Sequence, residues 1–87
     1  MGKVVSFRFH CPGAQSVTLA GDFNIWNVSD HPMVYDGPLD IWTVALPLEP
    51  GRYAYKFFVD GRAWWNDPSA SKVPNVWGSE NSYLDVE

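Results

Sequence analysis

Apolar and polar residues alternate along most of this chain. Val5, Phe7 and Phe9 alternate with Ser6, Arg8 and His10, a period of two that predicts a strand with one buried face. Cys11-Pro12-Gly13 then reads as a turn, with Pro at its first central position and Gly at its second. Val17 and Leu19 alternate with Ser16, Thr18 and Ala20, and Gly21-Asp22-Phe23-Asn24 breaks that pattern. Trp42, Val44 and Leu46 alternate with Ile41, Thr43 and Ala45. After the Glu49-Pro50-Gly51 turn, Tyr53, Tyr55, Phe57 and Val59 share one face, and these two runs are expected to form the strongest strand pair. Asp60-Gly61 supplies the positive-φ residues of a tight hairpin, so Arg62 to Trp65 should pair back. Asn66-Asp67-Pro68 through Gly78 is polar, carries two prolines and has no period, and is expected to be a loop. Ser82 to Val86 closes the chain as a strand.

No apolar set recurs at helical spacing over the ten or so positions a helix needs. The expected fold is therefore all-β. Short strands separated by regular turn signals predict a two-sheet immunoglobulin-like sandwich, with a small barrel as the other architecture the pattern permits. A chain of 87 residues makes a single domain, taken as residues 1–87. Its expected core is Phe7, Phe9, Val17, Leu19, Trp42, Val44, Leu46, Tyr55, Phe57 and Val59.

Composition narrows the possible chemistry. Six Lys and Arg are scattered among ten Asp and Glu, a net charge of −4, which is the wrong sign for nucleic acid. No apolar run approaches the ~20 residues of a membrane span. The start of the chain leads into strand sequence without the pattern of a signal peptide, so a cytoplasmic location is expected. Gly2 and Ser6 fit the formal myristoylation pattern, but the strand context argues against it. The lone Cys11 cannot form an internal disulfide, and with His10 and His31 it has no metal-site spacing, so neither a metal nor a cofactor is expected. His10-Cys11 is read as a strand end rather than a nucleophile pair, because neighbours on a strand point to opposite faces. Glycoside chemistry needs a carboxylate pair astride the bond. Asp22, Asp60 and Asp67 instead sit beside Gly, Asn or Pro and read as turn residues, so no catalytic residue is expected and the domain is read as a non-enzyme.

Three of the five tryptophans, Trp26, Trp64 and Trp77, lie among Gly, Asn, Asp, Ser and Pro rather than in apolar runs. A Trp in any context tends to be buried. Three together in turn-like contexts nonetheless suggest an exposed aromatic platform, suited to partly wet ligands such as sugars.

The ordered blocks Gly21-Asp22-Phe23-Asn24-Ile25-Trp26, Pro50-Gly51-Arg52-Tyr53-Ala54-Tyr55-Lys56-Phe57-Phe58-Val59-Asp60-Gly61, Asp67-Pro68 and Gly78-Ser79-Glu80-Asn81 resemble a family 48 carbohydrate-binding module. That family includes the glycogen-binding domain of the AMP-activated kinase β subunit and the N-terminal early-set domain of isoamylase and branching enzymes. The resemblance runs from about Val5 to Val86 and implies an early-set sandwich that binds α-1,4-linked glucans without catalysis. It implies that Trp26 stacks on a glucose ring and that Lys56, an outward-facing donor, meets sugar hydroxyls. The plainer reading of Lys56 is a solvated lysine. Trp64 is the implied second stacking wall. The spacing after Gly61 is one residue longer than in kinase-type domains, so Trp65 could take that role, and parity then puts one of the two in the core. Trp77 stands where kinase-type members carry an aliphatic residue. Ser79 replaces a threonine, and Asn81 keeps an amide able to bond vicinal hydroxyls; both could equally serve turn formation. The alternative function is a structural or docking domain, its partner an adjoining catalytic domain or a kinase complex.

Overall fold

The computed structural model describes residues 2–87. Eight strands follow in order: β1 (Lys3–Phe9), β2 (Val17–Gly21), β3 (Val34–Asp36), β4 (Ile41–Leu48), β5 (Gly51–Val59), β6 (Ala63–Trp65), β7 (Ser71–Pro74) and β8 (Glu80–Val86), with one 3-10 turn, Asp22–Asn24, after β2. They form two antiparallel sheets. One has the order β1-β4-β3; the other has the order β2-β5-β8-β7, with β6 added alongside β5. This is the expected all-β sandwich.

Alternation builds the core directly. In β1 it turns Phe7 and Phe9 inward, opposite Val44 and Trp42 of β4. In β5 it turns Tyr55, Phe57 and Val59 inward while Ala54, Lys56 and Phe58 face out. Ring contacts join the two sheets: Phe9 stacks on Phe57 at 4.2 Å and Phe7 meets the edge of Tyr55 at 5.1 Å. Leu19 and Phe57 are fully buried, each stabilising the fold by about 1.5–3 kcal/mol. Met33, Leu48 and Val86 join the core without having been expected there, and Val44 is only partly buried against it.

The pairing of β4 with β5 is not observed, because the two strands lie in different sheets. The Glu49-Pro50-Gly51 turn carries the chain across the sandwich instead of folding it back, and the Tyr53 hydroxyl donates to the Glu49 carbonyl at 2.6 Å across that corner. A tyrosine closing an inter-sheet corner in this way is a known device of immunoglobulin-like sandwiches. β4 pairs instead with β1, from Lys3↔Leu48 to Phe9↔Trp42. β5 pairs with β2 along one edge; along the other it pairs first with β8 and then with β6.

Turn chemistry accounts for the joins. The Ala14 N–H donates to the Cys11 carbonyl at 3.3 Å, closing the Pro12-Gly13 turn. Asp60 and Gly61 both have positive φ (54° and 69°), the requirement of the tight β5–β6 hairpin. The Asp60 carboxylate also accepts the Gln15 and Ser16 N–H groups at 2.7 and 3.0 Å, which holds its pKa below the usual carboxylate range. The expected loop from Asn66 to Gly78 contains β7, whose register Ser71↔Tyr83 to Pro74↔Glu80 extends the larger sheet. The start of that stretch is tied to β8, where buried Ser82 accepts the Asp67 N–H at 2.7 Å and donates to Asn66 Oδ1 at 2.9 Å. The Tyr55 hydroxyl donates to Asp67 Oδ2 at 2.6 Å. Burial, then the Asp67 carboxylate, pushes the Tyr55 pKa far up, so this hydroxyl stays a donor.

Candidate functional site

The outward face of β5 carries Ala54, Lys56 and Phe58, a half-buried strip of small, cationic and aromatic side chains on the larger sheet. Three segments rise around that strip. The first is the turn after β2, where the Trp26 N–H donates to the Gly21 carbonyl at 2.9 Å and Asn24 Oδ1 accepts the Gly21 N–H at 3.1 Å. Ile25 and Trp26 both lie in the left-handed region (φ 55° and 58°), which reverses the chain and swings Trp26 back toward the sheet. Gly21 permits this, since a Cβ there would come within 2.5 Å of the Ala54 carbonyl oxygen and 2.8 Å of the Phe23 ring.

The second segment is β6. Trp64 pairs with Phe58 and so shares the outward face, its ring 4.6 Å from Phe58 and 6.2 Å from Trp26, the latter in an edge contact at 66°. Trp65 pairs with Phe57 and therefore takes the opposite parity. The expectation that one of the two would be core is not met: both are exposed, at 44% and 55%. β6 is three residues long and sits beside only the end of β5, so the face Trp65 occupies is not covered there.

The third segment is the β7–β8 connection. Asn75 organises it: its Oδ1 accepts the Trp77 and Ser79 N–H groups at 3.0 and 3.2 Å, and its Nδ2 donates to Ser79 Oγ at 2.9 Å and Asn81 Oδ1 at 3.0 Å. Those bonds leave Val76 and Trp77 at the tip, 91% and 86% exposed. They also occupy one acceptor site of the Asn81 oxygen, which leaves its second lone pair and its Nδ2 hydrogens to offer.

Trp26, Lys56, Trp64, Trp77, Ser79 and Asn81 all line one open cleft of about 770 Å³, with Ala54 in its floor. Val73, Pro74, Asn75 and Val76 line it too and had no sequence signal of their own, except that Asn75 precedes the Gly78 turn. The volume lies in the range of small-molecule sites. None of the lining residues is an Asp or Glu. Two rings set at 66° and a third at the exposed tip, with ammonium and amide donors, can hold a neutral polyhydroxyl ligand by stacking and hydrogen bonding.

The carboxylates considered above have structural attachments: Asp22 and Asp67 each bind a backbone N–H and a side-chain donor, and Asp60 binds two backbone N–H groups. His10 turns to Asp40 at 3.4 Å, while burial and then the Asp60 charge raise the Cys11 pKa, which works against a nucleophilic thiol. Among the described residues no helix is long and apolar enough to cross a membrane, and no group of three His, Cys, Asp or Glu could hold a metal ion.

A family model described as carbohydrate-binding module 48 (isoamylase N-terminal domain) matches residues 1–82. Among curated relatives, the 1,4-alpha-glucan branching enzymes GlgB of Mycobacterium ulcerans and Mycobacterium tuberculosis are 42% identical over 57 residues. The GlgB of Pseudomonas fluorescens is 37% identical over the same length. The matched segment is 66% of this chain and 8% of each relative, so the chain corresponds to a small part of those enzymes.

Proposed function

We propose that this chain, which belongs to the carbohydrate-binding module 48 family, is over residues 1–87 a non-catalytic module for α-1,4-linked glucans such as glycogen, starch and maltooligosaccharides. The observation that carries the reading is the convergence of Trp26, Trp64 and Trp77 with Lys56, Ser79 and Asn81 on one cleft that no carboxylate lines. Trp26 and Trp64 meet at 66°, and two angled walls suit the curved face of an α-glucan better than the flat ribbon of cellulose. Affinity for short chains is modest, because a shallow site gains little beyond the ordering cost of its ligand. The unpaired Cys11 is compatible with a reducing compartment, and the proposal extends to a cytoplasmic setting.

The test is retention on immobilised glycogen with soluble maltoheptaose as competitor, beside a cellulose column. Retention on glycogen that maltoheptaose releases is expected, and equal retention on cellulose and amylose would sink the reading. No glucose release or branch transfer is expected from the pure protein.

A second reading, docking to an adjoining catalytic domain or to a kinase complex, draws on the outer face of the β1-β4-β3 sheet, where Val4 and Val34 are exposed. It also draws on the size of the relatives, of which the match covers 8%. Substituting Val4 and Val34 should leave glycogen retention unchanged if the cleft is the binding site.

A further inference from the structure

Asp22 has both carboxylate oxygens committed: Oδ1 accepts the indole Nε1–H of Trp26 at 3.1 Å, and Oδ2 accepts the backbone N–H of Ala54 at 2.8 Å. The second bond arises where β2 runs out. The β2–β5 ladder ends at Gly21↔Tyr55, and Asp22, the next residue, takes up the β5 N–H immediately beyond it. One exposed side chain thus joins the turn that carries Trp26 to the strand that carries Lys56. A carboxylate suits this task because it only accepts, and two donors converge on it; an amide in its place would turn its own N–H₂ toward one of them.

The rest of the turn leaves this tether something to do. Asn24 and the Gly21 carbonyl fix the backbone path of residues 21 to 27. The half-buried Trp26 ring is itself held by its edge contact with Trp64 at 6.2 Å and by the Asp22 bond. Ile25 and Trp26 also hold left-handed backbone, unfavourable for a β-branched residue, so the surroundings must hold the segment in place.

We propose that Asp22 is the positioning residue of the cleft: by holding Trp26 Nε1–H and Ala54 N–H together it sets the angle of the Trp26 ring against Trp64 and β5 before any ligand arrives. This rests on the reading that the cleft binds glucan. Asp22 is not among the cleft-lining residues and acts through Trp26. Its effect is preorganisation, since a ring that must be ordered on binding weakens binding.

The test is a double-mutant cycle of Asp22→Asn with Trp26→Phe, read by maltoheptaose titration and, without ligand, by the Trp–Trp exciton band in far-ultraviolet circular dichroism. The amide oxygen introduced by Asp22→Asn can still accept from Ala54, so the fold should persist. In the parent protein Asp22→Asn should reduce affinity about three- to tenfold and shrink the exciton band. With Trp26→Phe already present it should leave affinity unchanged. An equal loss on both backgrounds, or an unaltered exciton band, overturns the proposal. If the parent protein binds no glucan, the functional reading fails, while the ligand-free exciton band still decides whether Asp22 sets the ring.

Discussion

Trp77→Ala and Trp42→Ala remove the same side chain from opposite environments, and the difference in outcome follows from burial. Trp77 is 86% exposed, and among the described residues only its backbone N–H is hydrogen-bonded, to Asn75. About one-seventh of a residue presenting roughly 250 Å² is covered, worth under about 1 kcal/mol at ~25 cal/mol per Å². The melting temperature should therefore fall by less than about 4–8 °C, the shift that ~1 kcal/mol produces in a domain of this size. Loss of a stacking wall should weaken maltoheptaose binding by about 1–2 kcal/mol, roughly 5- to 30-fold. Trp42 is 8% exposed, between Phe9 on β1 and Tyr35 on β3. Its truncation should cost about 3–5 kcal/mol out of a total of about 4–13 kcal/mol expected for a domain of this length. Trp42→Phe should be milder than Trp42→Ala, because the buried Nε1–H has no acceptor among the described residues and its removal sheds an unsatisfied donor. Thermal melts and titrations on the three variants test this. Equal melting-temperature losses for Trp77→Ala and Trp42→Ala, or unchanged affinity in Trp77→Ala, would refute the reasoning.

Gly21→Ala should destabilise by about 1–3 kcal/mol and weaken glucan binding, because the new Cβ meets the Ala54 carbonyl oxygen at 2.5 Å and must displace the turn that carries Trp26; a melt and a titration give both numbers. Asn75→Ala should weaken binding with little change in melting temperature, since Asn75 orders the exposed tip of Trp77, Ser79 and Asn81 rather than the core, and a large drop in melting temperature would show that the tip supports the fold. Asp60 has a folded pKa below its unfolded value, so the stability it contributes is present above the ordinary carboxylate pKa near ~4 and is lost as pH falls through the folded one. Melts across that acidic window should show a shallower pH dependence for Asp60→Asn than for the parent, and identical slopes would remove Asp60 from the account.

What could be read from the sequence divides along physical lines. β1, β4 and β5 declare themselves because each buries one face along its length, so the period of two is printed in residue types. β3 and β7 have three and four residues, none of them fully buried, and β7 ends on Pro74, so neither leaves a period to find. The partner of β4 was out of reach for a different reason. A Pro-Gly turn after an inward-facing run is the same string whether the next strand pairs in the same sheet or crosses to the facing one, and what distinguishes the two here is the Tyr53–Glu49 bond across the corner. In the cleft, Lys56 and Trp64 share an outward parity that can be counted from the Asp60-Gly61 turn. Asn75 acts through backbone N–H groups and another amide, contacts that depend on where β7 and β8 bring the chain together. Trp65 follows parity correctly and still ends exposed, because parity assigns a face and not what covers it.

Strand β5 ties the cleft to the fold. Its inward residues Tyr55, Phe57 and Val59 are core, and the residues between them, Ala54, Lys56 and Phe58, floor the cleft or support Trp64. A slip of one residue would exchange the two sets, moving Lys56 into the interior and Phe57 to the surface. Two carboxylates help to hold the register at adjacent strand positions: Asp22 on the Ala54 N–H at the β2 edge and Asp67 on the hydroxyl of inward-facing Tyr55. Asp22 comes from the turn that carries Trp26, and Asp67 lies just past the strand that carries Trp64. The groups that pin β5 therefore belong to the segments that wall the cleft, so the aromatic geometry is specified by the same contacts that specify the sheet.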